Sequence, residues 1–265
     1  MAASVLFLGS GGARFVVARQ FRASGGMWLR FGQTQIHVDP GPGALVRALT
    51  HVPPCNPREL SAIVLSHKHL DHAGDSTAMI EAMTSGGFRR RGALFAPRDA
   101  LEGEPSVLPY AQRFVERLEV LEPSSGPYRI DDVLLYTSIA HHHAVQTYGV
   151  HFCYGDLHVS YLPCGRYFKD LAADYAAHTP DILIVNVLRY RDAMNVDHFT
   201  WDDARRVVET VLPSVAIFQH FGTKMLEADP GKLAQGLEDE LGIRAIAAYD
   251  GLEVDLETEV AAVVA

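Results

Sequence analysis

A brief apolar run, Ala62-Ile63-Val64-Leu65, stops at Ser66 and is followed at once by His67-Lys68-His69-Leu70-Asp71-His72. No other feature of the chain constrains its fold as tightly. The apolar run, with its β-branched members, reads as a short buried strand. A turn at the end of such a strand can aim neighbouring side chains at one point. Neutral imidazole and carboxylate are suitable ligands for Zn²⁺, Mn²⁺ or Fe²⁺.

The surrounding pattern is one of short strands cut by turns. Strands are expected at Val5–Leu8, Met27–Phe31, Gln35–Val38, Ala93–Ala96, Val133–Ser138, Tyr148–Cys153, His158–Leu162, Ile182–Val185, Val215–Phe218, Ile246–Ala248 and Leu252–Leu256. Helices are expected at Ala44–Thr50, Ser76–Met83, a polar stretch near Tyr110–Glu119, Thr200–Leu212 and Gly231–Leu241. Thr200 is the expected N-cap of its helix, with Asp202 and Asp203 in the first turn. The segment Phe88–Pro127 is the hardest to read and is a candidate for the substrate-facing cover. No disordered linker and no tandem repeat appears, so residues 1–265 are expected to form one α/β domain, a sheet sandwich flanked by helices.

Composition excludes some classes. With 48% hydrophobic and 21% charged residues, the chain resembles an ordinary soluble globular protein. Its formal net charge of −9 disfavours a phosphate backbone as partner and favours a small-molecule substrate over nucleic acid. Arg89-Arg90-Arg91 reads either as a solvated loop or as an anion-gripping one. Cys55, Cys153 and Cys164 make no even disulfide framework. The first residues lack the basic region of a signal peptide, and the apolar runs are too short to span a bilayer. A cytoplasmic location with no membrane partner is the expectation.

His67-x-His69-x-Asp71-His72 resembles the signature of the metallo-β-lactamase superfamily. Upstream, Leu8-Gly9-Ser10-Gly11-Gly12 and Val38-Asp39-Pro40-Gly41-Pro42-Gly43 are similar to that family's opening strand-turns. Downstream, His143 through Tyr148-Gly149 resembles its third motif, and Gln219-His220-Phe221-Gly222 its last ligand segment. The resemblance covers nearly the whole chain and looks nearest to the branch holding tRNase Z and the phosphodiesterases of phosphonate breakdown. It implies an αββα sandwich of two mixed β-sheets flanked by helices, two divalent metal ions, and often a homodimer.

By the same resemblance, His67, His69 and His143 would hold the first metal, and Asp71, His72 and His220 the second. His141 and His142 compete with His143, which the spacing to Gly149 favours. Asp39 would orient a ligand through a hydrogen bond, or it is simply a turn residue before Pro40. The chain departs from the family at Cys164, where most of its hydrolases carry a metal-bridging carboxylate. A thiolate there shifts the expected metal toward Zn²⁺, with Mn²⁺ or Fe²⁺ as alternatives. Two other readings of that position stay open: an inert cysteine with one metal lost, or a carboxylate supplied by Asp170.

The implied chemistry is hydrolysis by a metal-bridging hydroxide. Asp71 would both bind metal and orient that hydroxide. His198, in Asp197-His198-Phe199-Thr200-Trp201, is the candidate general acid, or else a residue that merely flanks the helix. A phosphodiesterase acting on a small phosphodiester is the leading expectation. Alternatives are a thioester, lactone or β-lactam hydrolase, a tRNA 3′-processing endonuclease, and a non-catalytic metal-binding or redox-sensing protein.

Overall fold

The computed structural model describes residues 3–191 and 196–264. The first sheet contains β1 (Ala3–Phe7), β2 (Met27–Phe31), β3 (Thr34–Val38), β4 (Ala62–Val64), β5 (Ala93–Pro97) and β6 (Arg117–Leu121). The second contains β7 (Tyr128–Ile130), β8 (Val133–Ala140), β9 (Tyr148–Tyr154), β10 (Leu157–Leu162), β11 (Ile182–Asn186), β12 (Val215–Gln219) and β13 (Arg244–Ala247). A final strand, β14 (Glu253–Asp255), returns to the first sheet beside β1. The orders are β14-β1-β2-β3-β4-β5-β6 and β13-β12-β11-β10-β9-β8-β7. Each sheet is antiparallel at one side and parallel at the other, from β3 to β6 in the first and from β10 to β13 in the second.

Alternation along each strand divides its side chains between two cores. Val5 and Phe7 join Val159, Tyr161, Ile182 and Ile184 in the apolar layer between the sheets. Leu6 and Leu8 face outward beneath the helices of the first sheet, as Leu183 and Val185 do beneath those of the second. Strands buried on both faces therefore read as continuous apolar runs, which is the pattern of Ile182–Val185. The chain forms the αββα sandwich of two mixed sheets that the sequence led us to expect.

Two local expectations are corrected. The stretch near Tyr110–Glu119 is not one helix: a single turn at Pro109–Gln112 gives way to strand Arg117–Leu121, which pairs parallel with β5. Its Arg-Leu-Glu-Val-Leu alternation suits a sheet edge, where exposed charges deter further pairing. Leu252–Leu256 is likewise not all strand, because Leu256 opens a helix to Val264. Asp255 Oδ1 accepts the Thr258 N–H at 2.8 Å, and acidic Glu257 and Glu259 favour the first turn. Phe88–Pro127 supplies two strands of the first sheet, and it meets the histidine-bearing loops where Lys68 donates to the Glu104 carbonyl and where Asp99 and Gln146 exchange two hydrogen bonds of 3.1 Å.

The helix after Thr200 is built as its sequence indicates. The Thr200 hydroxyl accepts from the Asp203 N–H at 3.2 Å, and the Asp203 carboxylate accepts the Thr200 N–H at 3.1 Å, a reciprocal cap. The parallel strands then bring their C-terminal ends to one edge of the sandwich: Asp39 after β3, Ser66 and His67 beyond β4, Cys164 beyond β10, Asn186 ending β11 and His220 after β12. In sheets of this kind such an edge is where ligand sites form.

Candidate metal centre

The His67–His72 segment is shaped by one tight turn. His69 precedes the single-turn helix Leu70–Ala73, and its carbonyl accepts the N–H groups of His72 at 3.0 Å and Ala73 at 2.9 Å. Gly41 lies directly beneath. A Cβ at that position would sit 2.0 Å from the Asp71 carbonyl oxygen, so the Asp39-Pro40-Gly41 loop can support the turn only without a side chain there.

Asp39 is the anchor of the cluster. It is 3% exposed and adopts φ 53°, a left-handed backbone that aspartate tolerates better than most residues. Its Oδ1 accepts the Ser66 N–H at 2.7 Å, and its Oδ2 accepts the Ser66 hydroxyl at 2.6 Å and the Tyr161 hydroxyl at 2.9 Å. The same oxygen lies 2.9 Å from His72 Nδ1, which donates to it, so Nε2 is the nitrogen turned toward His220 and Cys164. His143 is held the same way: its Nδ1–H donates to the Asp197 carbonyl at 2.8 Å, and its Nε2 lies 3.0 Å from His69 Nδ1. Asp71 Oδ2 accepts the Ala13 N–H at 2.9 Å and sits 3.1 Å from His220 Nε2.

Ligand atoms within 4.8 Å of one another fall into overlapping groups here: His67, His69 and His143; Asp71, His72 and His220; and His67, His72 and Cys164. The first two are the sets expected from the sequence. The third puts the cysteine beside one member of each, with Sγ 3.5 Å from His72 Nε2 and 3.7 Å from His220 Nε2. Asp170 is exposed in the first turn of helix Lys169–Ala177 and joins none of these groups.

Burial and mutual charge set the protonation of the cluster. Burial pushes His67 down to about 3 and His143 down to about 4, so both are neutral and able to donate a lone pair. Burial alone would raise the Cys164 thiol, but His220 and His72 pull it well below the usual thiol range. Conversely, burial opposes protonation of His72 and His220, yet the Cys164 sulfur and Asp71 outweigh it, holding His72 well above the usual range and His220 up to about 9. Asp71 is held below the carboxylate range, chiefly by His72 against the cost of burial. A thiolate, carboxylates and neutral imidazoles make a donor set that a divalent cation would bind while displacing those protons.

His141 and His142 have other roles. His141 is buried and its Nδ1 donates to the Cys164 carbonyl at 3.0 Å, whereas His142 is exposed and stacks on Phe168. His198 stands edge-on to His143 with ring centres 5.1 Å apart, and it contributes, after His220 and His72, to holding the Cys164 thiol down. Three further residues escaped the sequence reading. Tyr161 and Ser66 hold Asp39, and Asn186 Nδ2 donates to the Tyr161 hydroxyl at 3.0 Å and lies 3.7 Å from Cys164 Sγ. A signal existed for Asn186, a lone polar residue ending the apolar run Ile182–Val185.

Residues 34–221 match a family model described as a beta-lactamase superfamily domain. The chain belongs to the metallo-β-lactamase superfamily. An uncharacterized protein of Methanocaldococcus jannaschii, MJ1374, is 30% identical over 266 residues, covering 97% of this chain and 96% of that protein. Among solved structures, the metallo-β-lactamase fold protein YhfI from Bacillus subtilis superposes with a TM-score of 0.73 at 18% identity, covering 96% of this chain and 99% of that one. A diphosphatase of the PhnP family gives 0.65 at 21% identity, covering 96% and 97%. The metallo-β-lactamase fold implies divalent metal ions, and the residues present fit them. His67 Nε2 is buried without a hydrogen-bond partner among the described residues, as a ligand nitrogen would be. No helix among the described residues is long and apolar enough to cross a membrane.

Proposed function

We propose that this metallo-hydrolase is a phosphodiesterase acting on a small phosphodiester, with His198 as general acid. The observation that carries the reading is the position of His198: its ring is 5.1 Å from that of His143, and the adjoining Asp197 carbonyl fixes His143 itself. A proton donor is thereby tied to the candidate metal ligands. Hydrolysis of a phosphodiester needs such a donor at the departing oxygen, because an alkoxide is a poor leaving group.

His67, His69 and His143 would hold one cation, and Asp71, His72, Cys164 and His220 the other. When bound, the two ions would supply an activated water and neutralise charge on the phosphoryl oxygens. The chain supplies the rest. Asp71, one oxygen of which is held by the Ala13 N–H, orients the attacking water by accepting its hydrogen bond. His198 delivers a proton to the leaving oxygen. Asp39, Ser66 and Tyr161 keep His72 in one tautomer. The thiolate favours Zn²⁺ over harder ions, and the acidic net charge of −9 supports a small substrate.

A substrate panel tests the reading. The zinc-loaded protein should hydrolyse bis(p-nitrophenyl) phosphate faster than p-nitrophenyl phosphate, a thioester, a lactone or a β-lactam. Turnover confined to the carbonyl substrates would overturn it.

A further inference from the structure

A second gathering of imidazole and carboxylate lies away from the centre just described, on the outer face of the second sheet. Val150 and Phe152 point into the layer between the sheets, so His151 faces the opposite way, toward helix Lys169–Ala177. It pairs across β9 and β10 with Ser160. Asp174 and His178 are four residues apart on the helix and at its C-cap, a spacing that brings two side chains onto one face. One ligand atom from each of His151, Asp174 and His178 lies within 4.8 Å of the others.

His151 supplies the second observation. The residue is 2% exposed, and its Nδ1 is 2.7 Å from the Ser160 hydroxyl. Its Nε2 is buried with no hydrogen-bond partner among the described residues. A buried nitrogen left without a partner loses the hydrogen bond that water would have given it. An imidazole with one nitrogen anchored by a hydroxyl and the other bare is what a metal ligand looks like before the ion arrives. We propose that His151, Asp174 and His178 form a further divalent transition-metal site, taking Zn²⁺ through two imidazole nitrogens and one carboxylate oxygen, with water completing the shell.

The rings of His151 and His178 are stacked, with centres 3.7 Å apart and planes 10° from parallel. Parallel rings cannot both aim an in-plane lone pair at one ion, so binding requires one to turn. His178 is only half-buried and ends its helix, and rotation of a histidine ring about χ2 is soft. The ion would pin helix Lys169–Ala177 to the sheet. Tyr175 of that helix donates to the Tyr161 carbonyl at 2.9 Å, and its hydroxyl lies 3.3 Å from His141 Nε2. The pinned helix thus stands behind the residue that holds the Cys164 carbonyl. The role is structural.

The test counts ions on the full-length protein. Wild type, His178→Ala and Asp174→Asn are dialysed to equilibrium against the same series of free Zn²⁺ concentrations, and bound zinc is measured by mass spectrometry. Wild type should reach one more equivalent than either variant, while bis(p-nitrophenyl) phosphate turnover stays equal in all three. Copper loading gives an independent signature: nitrogen hyperfine lines from two imidazoles at this site in wild type, and from one in His178→Ala. Equal zinc stoichiometry in the three proteins across the series would overturn the proposal.

Discussion

The Asp39 carboxylate lies 2.9 Å from His72 Nδ1, and both side chains are 3% exposed. This pair joins the end of β3 to the signature turn beyond β4, and through Tyr161 it joins the first sheet to the second. Because the carboxylate also takes both donors of Ser66, it fixes the residue that precedes the first histidine. One buried charge therefore sets the rotamer of His72 and the approach of His67.

Replacing Asp39 by Asn should weaken metal binding by roughly 10–100-fold, the usual effect of losing a partner behind a ligand. An amide cannot accept from Ser66, Tyr161 and His72 on the same oxygens, and it leaves buried donors facing one another. Stability should fall by about 3 kcal/mol, as for other broken buried pairs. Competition with a chromogenic chelator and urea unfolding check the two effects separately. Unchanged zinc affinity would show that Asp39 serves only the turn.

Cys164→Ala should cost the protein close to one zinc equivalent, because the sulfur stands beside a member of each expected ligand set. Cys164→Asp should keep both equivalents and move the preference toward Mn²⁺, a harder ion than zinc. Metal analysis after loading with an equimolar mixture of the two ions reads both effects. If Cys164→Ala held as many zinc ions as wild type, and as tightly, the cysteine would be only a packing residue.

Much of this architecture was legible because it rests on short-range rules. The Ala62–Leu65 run, the Thr200 cap and the apolar strands Ile182–Val185 and Val215–Phe218 each carry their signal within a few residues. So does the His67–His72 cluster. What escaped depends on partners remote in sequence. Tyr161 reads as an ordinary core aromatic until Asp39 is brought to it across the sandwich, and the Ala13 N–H that holds Asp71 has no side-chain signal at all. Arg117–Leu121 looked helical because its charges suit a helix surface, and only the neighbouring β5 makes it a strand.

Stability should fall in mild acid, with His37 as one cause. This histidine is buried on β3, its Nε2 bonded to the Gly25 carbonyl at 2.8 Å, and burial lowers it from 6.5 to about 4. The unfolded chain binds that proton more readily than the folded one. Its contribution is therefore complete above pH 6.5 and is lost as pH falls toward 4. The difference corresponds to something on the order of 3 kcal/mol. His37→Gln keeps a donor for Gly25 and removes the titration, so its urea midpoint should fall less steeply over this range. A slope identical to wild type would assign the acid sensitivity to other histidines.

His198→Ala should lower turnover of a phosphodiester with an alkyl leaving group by roughly 10²–10⁴-fold, the range for a lost general acid, and leave zinc content unchanged. The loss should shrink for substrates whose leaving groups need no proton, so the dependence of rate on leaving-group pKa should steepen in the variant. A purely structural His198 would give a uniform loss across leaving groups.

Gly12 offers a steric test of the His220 side of the centre. Its backbone is extended, at φ −129° and ψ 157°, so any residue could adopt that conformation. Space is the constraint: a Cβ would lie 2.2 Å from His220 Nδ1. Neither neighbour can yield easily, since the Gly12 N–H bonds the Phe221 carbonyl at 3.1 Å and the next residue's N–H holds Asp71. Gly12→Ala should displace the imidazole and lower zinc occupancy and turnover together. Gly236→Ala serves as the control. It lies inside helix Pro230–Leu241 with nothing within 4 Å of its would-be Cβ, so alanine there should stabilise the fold by roughly 0.5–1 kcal/mol. Its activity should match wild type. Should Gly12→Ala also retain full zinc and full turnover, His220 would not be a ligand that the reaction requires.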